Sequence, residues 1–269
     1  MPMTDLGDID ITRAASLLAS SRKAVAFTGA GVSTESGIPD FRSSTGLWSR
    51  YNPAEYGTLG AFLRNPAKVW KMLWELDGLL DARPNAGHEA LAALEREGPL
   101  AGIITQNIDG LHQAAGSVNV IEYHGNGHSM TCLECGDRFT REQVRAMPRG
   151  DGLPRYAACK FKAGRPAGEP QRCIIKPDVI LFDELIPAEA QTGAMGLLAG
   201  VDLLLVAGTS LEVFPASEIP RVVRAAGGRV IEINLEPARG LRPDILLQGN
   251  FTAVMAGLYR SWKNQAGRG

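Results

Sequence analysis

The chain has 269 residues with 45% hydrophobic and 21% charged side chains and a formal net charge of −1. That length and balance suit one buried core plus a satellite module and exclude disorder as the main state. Near-neutral charge argues against a nucleic-acid surface driven by bulk charge, and no apolar run is long enough to cross a bilayer; with Asp5, Asp8 and Asp10 suiting neither a secretory signal nor an acid-poor transit peptide, a cytoplasmic protein without direct nucleic-acid or membrane partners is expected.

Ile11, Ala14, Ala15, Leu17 and Leu18 recur at helical spacing, so a packing helix is predicted over 9–21. It leads into the apolar strand Val25-Ala26-Phe27 and then Thr28-Gly29-Ala30-Gly31-Val32-Ser33. A strand feeding a Gly-x-Gly turn lets the backbone approach a phosphate and aim amide groups at it. A full dinucleotide fingerprint would carry a third glycine where Thr34 stands, so on this motif alone an ordinary tight turn stays open. Pro39 restrains the residue before it to extended backbone, which delivers Asp40, Phe41 and Arg42 on a loop rather than a helix.

From 43 to 84 strand signals vanish, while Leu59, Phe62, Leu63, Val69, Trp70, Met72, Leu73, Leu76, Leu79 and Leu80 recur at helical spacing, which predicts an inserted helical module. Asn85 has the chemistry of a helix cap ahead of an amphipathic helix reaching Leu94. The strand Gly102-Ile103-Ile104-Thr105 then runs into Gln106-Asn107-Ile108-Asp109-Gly110-Leu111-His112, placing amide and acid groups beyond a strand's carboxyl end, where open α/β sheets bind ligands.

Residues 129–178 break the rhythm with prolines, glycines and all four cysteines. Four are too few for a disulfide scaffold in a chain this large, so their clustering points to metal. Cys132-x-x-Cys135 is half of a tetrahedral zinc site, because two thiolates on one knuckle reach one ion without strain. Cys159 and Cys173 are separated by thirteen intervening residues, an irregular second half. One structural zinc ion on Cys132, Cys135, Cys159 and Cys173 is the favoured reading; a decayed site kept in shape by packing is the alternative.

A strand over 178–182, a helix over 187–200 and two further strands, Leu203-Leu204-Leu205-Val206 and Val230-Ile231-Glu232-Ile233, complete the pattern. Near-continuous apolar runs suit strands buried on both faces, hence a parallel sheet between helices. No repeat or low-complexity tract is present, and residues 264–269 read as a frayed end.

Gly29-Ala30-Gly31-Val32-Ser33, Gly37-Ile38-Pro39-Asp40-Phe41-Arg42-Ser43, Gln106-Asn107-Ile108-Asp109-Gly110, His124-Gly125, Gly208-Thr209-Ser210 and Asn234-Leu235-Glu236 occur in the order seen in sirtuins, and the chain resembles that family over nearly its whole length. The resemblance implies an α/β fold, a Rossmann-type doubly wound parallel sheet (1–42, 85–128, 179–269) with a smaller discontinuous lobe made of the helical module (43–84) and the zinc module (129–178). It implies NAD-dependent protein-lysine deacylation: the acyl oxygen attacks the ribose carbon bonded to nicotinamide, nicotinamide leaves, and a ribose hydroxyl attacks the imidate with the help of a general base. NAD and acyl-lysine proteins or peptides are then the substrates. The same NAD cleft would serve mono-ADP-ribosyl transfer to protein, and a non-catalytic NAD sensor is the third reading.

By the same resemblance His124 is the base, a role suited to histidine near neutral pH. A locally hydrogen-bonded histidine is the plainer reading; His88 and His112 are assigned to packing and His128 to the entrance of the zinc module. Asn107 and Asp109 position the nicotinamide ribose, though either alone would pass for an Asx-rich turn. Gly29, Ala30, Gly31, Ser33, Thr34 and Gln106 border the cofactor; Asp40 and Ile108 meet the carboxamide, Phe41 covers the cleaved ribose face and Arg42 meets phosphate. Gly208, Thr209 and Ser210 fall on the diphosphate or adenosine side, and Asn234, Leu235 and Glu236 at the adenine ribose, where an acid disfavours a 2′-phosphate.

The peptide is expected to pair with two edges, Val179, Phe182, Asp183 and Glu184 on one side and Leu211 and Glu212 on the other. Asp183 stands where the family usually has glycine, and Pro170 and Gln171 stand where a closely spaced second cysteine pair would be sought. The Tyr-x-x-Arg pair that serves succinyl groups in one sirtuin subgroup is missing from Val69-Trp70-Lys71-Met72-Leu73-Trp74, so neutral acyl groups are expected.

Overall fold

The near-continuous apolar runs of the predicted strands become a sheet covered on both faces. The computed structural model describes residues 5–159 and 173–267. Its strands are β1 (Ala24–Thr28), β2 (Leu100–Thr105), β3 (Val120–Glu122), β4 (Gly125–Cys132), β5 (Arg138–Thr140), β6 (Arg149–Gly150), β7 (Leu153–Pro154), β8 (Ile175–Val179), β9 (Leu203–Ala207), β10 (Arg229–Asn234) and β11 (Ile245–Gln248). The helices are α1 (Asp5–Ala19), α2 (Leu47–Arg50), α3 (Pro53–Tyr56), α4 (Leu59–Arg64), α5 (Pro66–Asp77), α6 (Ala86–Glu97), α7 (Leu111–Ala114), α8 (Arg141–Arg145), α9 (Ala188–Leu198), α10 (Ile219–Ala225) and α11 (Phe251–Ala266).

Six strands form one sheet in the order β11-β10-β9-β1-β2-β3, with every neighbouring pair parallel. The order reverses between β1 and β9, the doubly wound pattern, whose crevice at the reversal is a natural ligand site. On one face Ala24 and Ala26 pack with Leu18 of α1, Leu91 and Leu94 of α6 and Met255 and Leu258 of α11. On the other, Val25 and Phe27 pack with Leu197 and Leu198 of α9 and Val223 of α10. Alternate residues of one strand therefore feed two cores, which is why the strands lack polar alternation.

The two insertions share a third core. Phe62, Val69, Trp70 and Met72 of the helical module pack against Met130, Val144 and Ile175 of the cysteine-bearing module, and Trp70 Nε1 donates to the Ile175 carbonyl at 2.9 Å. Arg141 of α8, only 4% exposed, joins the same modules through Asp77 (2.6 Å) and Asp81 (2.8 Å).

Three local expectations change. The strand expected over 178–182 is β8, Ile175–Val179, which runs antiparallel to β4 in a small sheet ordered β5-β4-β8. Pro177 is tolerated there because β8 is an edge strand; Phe182 makes only an isolated bridge to Thr58. Helix α1 begins at Asp5 and stops at Ala19, and α11 continues to Ala266, so residues 264–266 are helical where fraying was expected. No helix among the described residues is long and apolar enough to cross a membrane.

Candidate active site

At the reversal point the backbones of two loops touch. Gly29 N–H donates to the Ala207 carbonyl at 3.0 Å and Gly31 N–H to the Gly208 carbonyl at 2.9 Å. A β-carbon on Gly31 would lie 2.8 Å from Gly208 Cα, and Gly208 itself has φ +60, so both positions exclude ordinary side chains. The glycine pair thus closes the β1 and β9 loops onto one another. After β1 the chain makes two short 3₁₀ turns, Ala30–Val32 and Thr34–Ser36, in place of a long helix.

Between the sheet's carboxyl ends and the small lobe lies a cleft of about 970 Å³. Its walls include Gly29, Ala30, Gly31, Ser33, Thr34, Asp40, Phe41, Arg42, Gln106, Asn107, Ile108, Asp109 and His124 from the first half of the chain. Gly208, Thr209, Ser210, Asn234, Leu235 and Glu236 line the other half, and Val179, Phe182, Asp183, Glu184 and Glu212 line its mouth. Leu211 does not line it; that side chain packs on the sheet's second core. The small-lobe wall is apolar: Trp70, Met72, Leu73, Leu76 and Leu80 face the cleft with Ile108.

Beneath the floor the polar groups are tied together. Ser33 Oγ donates to Asp109 Oδ2 at 2.7 Å, Asn107 Nδ2 donates to Ser33 Oγ at 3.2 Å, and Leu111 N–H donates to Asp109 Oδ1 at 2.9 Å. Asn107 and Asp109 are each 6% exposed, so their orientation is set by these bonds and not by solvent. Gln106 Nε2 donates to Thr209 Oγ1 at 2.9 Å, joining the β2 loop to the β9 loop. Asn234 is engaged by the protein itself, its Oδ1 accepting from Thr209 N–H at 3.1 Å and its Nδ2 donating to Glu232 Oε1 at 2.8 Å. Its amide therefore holds the Thr209 turn in place.

The 40–46 loop is an Asx turn, with Asp40 Oδ1 accepting from Arg42 N–H (3.0 Å) and Ser43 N–H (2.8 Å). Arg42 reaches across the mouth to Glu212, Nε to Oε2 at 3.0 Å. His124 follows β3 and borders the cleft. Burial lowers its pKa below the ordinary histidine value, a hydrogen bond to the Gln106 main chain acts in the opposite sense, and the Arg42 charge lowers it further. A neutral imidazole at neutral pH is the form a general base needs.

One peptide edge is less open than expected. Phe182 N–H donates to the Gly57 carbonyl at 2.8 Å and its carbonyl accepts from Leu59 N–H at 2.9 Å, so the fold itself uses both main-chain groups. The main-chain groups of Asp183 carry no such bond among the described residues. Asp183 has φ +65, the left-handed region glycine favours and aspartate tolerates, which accounts for glycine being the usual residue there. Lys176, to which the sequence assigns no role, is 6% exposed, donates to the Val179 carbonyl at 2.7 Å and pairs with Glu184 at 3.0 Å, bracing this edge from below. Its one signal is a lysine inside an apolar strand.

The thiols of Cys132, Cys135 and Cys159 lie within 4.8 Å of one another. Cys159, buried, joins the Cys-x-x-Cys knuckle in this group, whereas Cys173 neighbours Cys159 but falls outside it, so the structure gathers three of the four expected ligands. Burial pushes the Cys132 thiol above its ordinary range, and burial with the neighbouring Cys159 carries Cys173 up to about 12. Thiols gathered this way cost free energy to ionise unless a cation is shared among them, and a cluster of three thiols is a set that zinc can share. Pro170 and Gln171 lie outside the described residues.

The Sir2 family model matches residues 29–215. A relative from Pyrobaculum aerophilum, "NAD-dependent protein deacylase 2", is 43% identical over 255 residues, covering 93% of this chain and 95% of its own. A solved structure described as "Structural Basis for the Mechanism and Regulation of Sir2 Enzymes" superposes with TM-score 0.85 at 36% identity, covering 96% of this chain and 99% of that one. Sir2Af2 bound to a myristoylated histone peptide gives TM-score 0.78 at 30% identity, covering 97% and 100%. The chain belongs to the Sir2, or sirtuin, family of NAD-dependent protein deacylases.

Proposed function

We infer that this chain is an NAD-dependent protein-lysine deacylase that releases free lysine, nicotinamide and O-acyl-ADP-ribose. The observation that carries the reading is convergence: a half-buried His124 whose pKa is lowered by desolvation and the Ser33–Asn107–Asp109 hydrogen-bonded set border one cleft at the sheet's reversal point. Dinucleotide entering there meets the closed glycine loops at its phosphates, and Asn107 and Asp109 hold the ribose whose bond to nicotinamide breaks. His124 then takes the proton from a ribose hydroxyl as that oxygen attacks the captured acyl carbon.

The acyl chain enters against Leu73, Leu76, Leu80 and Trp70. Among the described residues this wall presents no cation, so a neutral acyl group, acetyl or longer, is the substrate, while a succinyl carboxylate would be desolvated without a partner. Structural zinc on Cys132, Cys135, Cys159 and Cys173 accounts for the thiol cluster and, being closed, serves the lobe and not the reaction.

The test is to incubate protein with NAD and acetyl-, myristoyl- and succinyl-lysine peptides and resolve the products by mass. Acyl removal with O-acyl-ADP-ribose in wild type, lost in a folded His124→Ala protein, is the expected result. ADP-ribose mass added to protein instead, or undiminished turnover in the variant, would overturn the reading.

A further inference from the structure

Two imidazoles sit stacked beneath the floor of the cleft. His88 and His112 are 0% and 1% exposed with ring centroids 4.9 Å apart, and each has one buried ring nitrogen without a hydrogen-bond partner: His88 Nε2 and His112 Nδ1. Buried polar atoms left this way cost about 1–3 kcal/mol each, so two in neighbouring rings call for an explanation.

The bonds already made fix which atoms carry protons. Asn85 N–H donates to His88 Nδ1 at 3.3 Å, so that nitrogen is bare and neutral His88 holds its proton on Nε2. Thr28 Oγ1 gives its hydrogen to Thr105 Oγ1 at 2.9 Å, so in its 2.9 Å bond with His112 Nε2 the threonine accepts and the ring donates. His112 is then bare on Nδ1. One ring thus offers an unused donor and its neighbour an unused acceptor.

We propose that His88 Nε2–H donates to His112 Nδ1, directly or through one water, so that the two histidines act as positioning residues for the Asn107–Asp109 loop of the deacylase site. The links run in one sense from the Asn85 cap of α6 through His88, His112 and Thr28 to Thr105. Thr105 Oγ1 in turn accepts from Asn107 N–H at 3.0 Å. His112 also stands three residues past Asp109, in the α7 turn whose first N–H bonds that carboxylate. Both rings must stay neutral for this order to hold, and burial depresses both pKa values accordingly.

The proposal rests on the deacylase reading only for its consequence, and the test separates the two. Nitrogen-15 NMR of imidazole-labelled wild type at neutral pH reads the protons directly. Expected are His88 and His112 both in the Nε2–H form, with His112 Nδ1 shifted as a hydrogen-bond acceptor. Either ring protonated on Nδ1, or a free Nδ1 signal for His112, overturns the pairing. Calorimetry with NAD then reads the consequence: His88→Leu weakens binding by roughly tenfold, and His88→Gln, which keeps a donor near the Nε2 position, recovers much of it. Equal binding by wild type and His88→Leu overturns the positioning role, whereas wild type that binds no NAD removes the functional reading and leaves the tautomer result standing.

Discussion

Arg42 and Glu212 bridge the mouth of the cleft, Nε to Oε2 at 3.0 Å, tying the Asx-turn loop of the cofactor side to the edge assigned to peptide. Both side chains are about two-fifths exposed, at 40% and 42%, so the pair is solvent-screened and weak. The carboxylate already partly neutralises the guanidinium and holds its Nε, so Glu212 competes with a dinucleotide phosphate for Arg42.

Glu212→Gln should therefore lower the KM for NAD. An exposed pair is worth at most about 1 kcal/mol, which limits the gain to roughly fivefold. Raising salt should shrink the difference between variant and wild type, since the competing pair is screened. An unchanged or raised KM for NAD at low salt would show that Arg42 is not held back by Glu212.

The second expectation concerns pH. His124 works as a base only when neutral, and its pKa lies below the ordinary histidine value mainly because it is buried. Activity should then hold as pH falls from 8 to about 6.5 and decline only below that, on an acid limb displaced from that of an exposed histidine. kcat/KM for an acetyl-lysine peptide across this range checks it; a limb centred above 6.5 would contradict the half-buried, uncharged base.

Much of this arrangement was legible in the chain because the family motifs sit at strand ends, and strands buried on both faces announce themselves as unbroken apolar runs such as Leu203-Leu204-Leu205-Val206. What could not be read depends on partners distant in sequence. His88 and His112 look like packing residues until Thr28 and Thr105, on two adjacent strands, are brought under them. Lys176 looks out of place until Glu184 folds back on it. The strand near 178 is displaced because Pro177 and Lys176 suit an edge of the small sheet, and apolar periodicity does not say which sheet a strand joins.

Metal removal supplies the third prediction. If one zinc ion joins Cys132, Cys135, Cys159 and Cys173, a strong chelator should strip one equivalent and lower the unfolding temperature, and Cys132→Ser should purify without metal. The loss should reach the acyl-binding wall, because Arg141 fastens the cysteine-bearing module to Asp77 and Asp81 beside Leu79 and Leu80. Arg141→Ala alone should cost on the order of 2 kcal/mol in a denaturant titration, since it leaves the mostly buried Asp77 with only Arg145. A metal-free wild-type protein of unchanged stability would remove the zinc assignment.

Acid stability follows from the buried pair. Burial lowers His88 to about 4, against which the Asp109 charge acts, and lowers His112 to about 3, with His88 adding in the same direction. In the unfolded chain both titrate near 6.5, so the unfolded state binds protons that the folded state refuses. Their contribution is fully present above pH 6.5 and is lost as pH falls, each histidine removing about 1.4 kcal/mol per pH unit while the folded ring stays neutral. Urea unfolding at pH 7 and pH 5 should show this steep loss. His112→Gln should flatten the slope by close to one proton's worth even where it lowers stability at pH 7, and an unaltered slope would mean that the pair is charged in the folded protein.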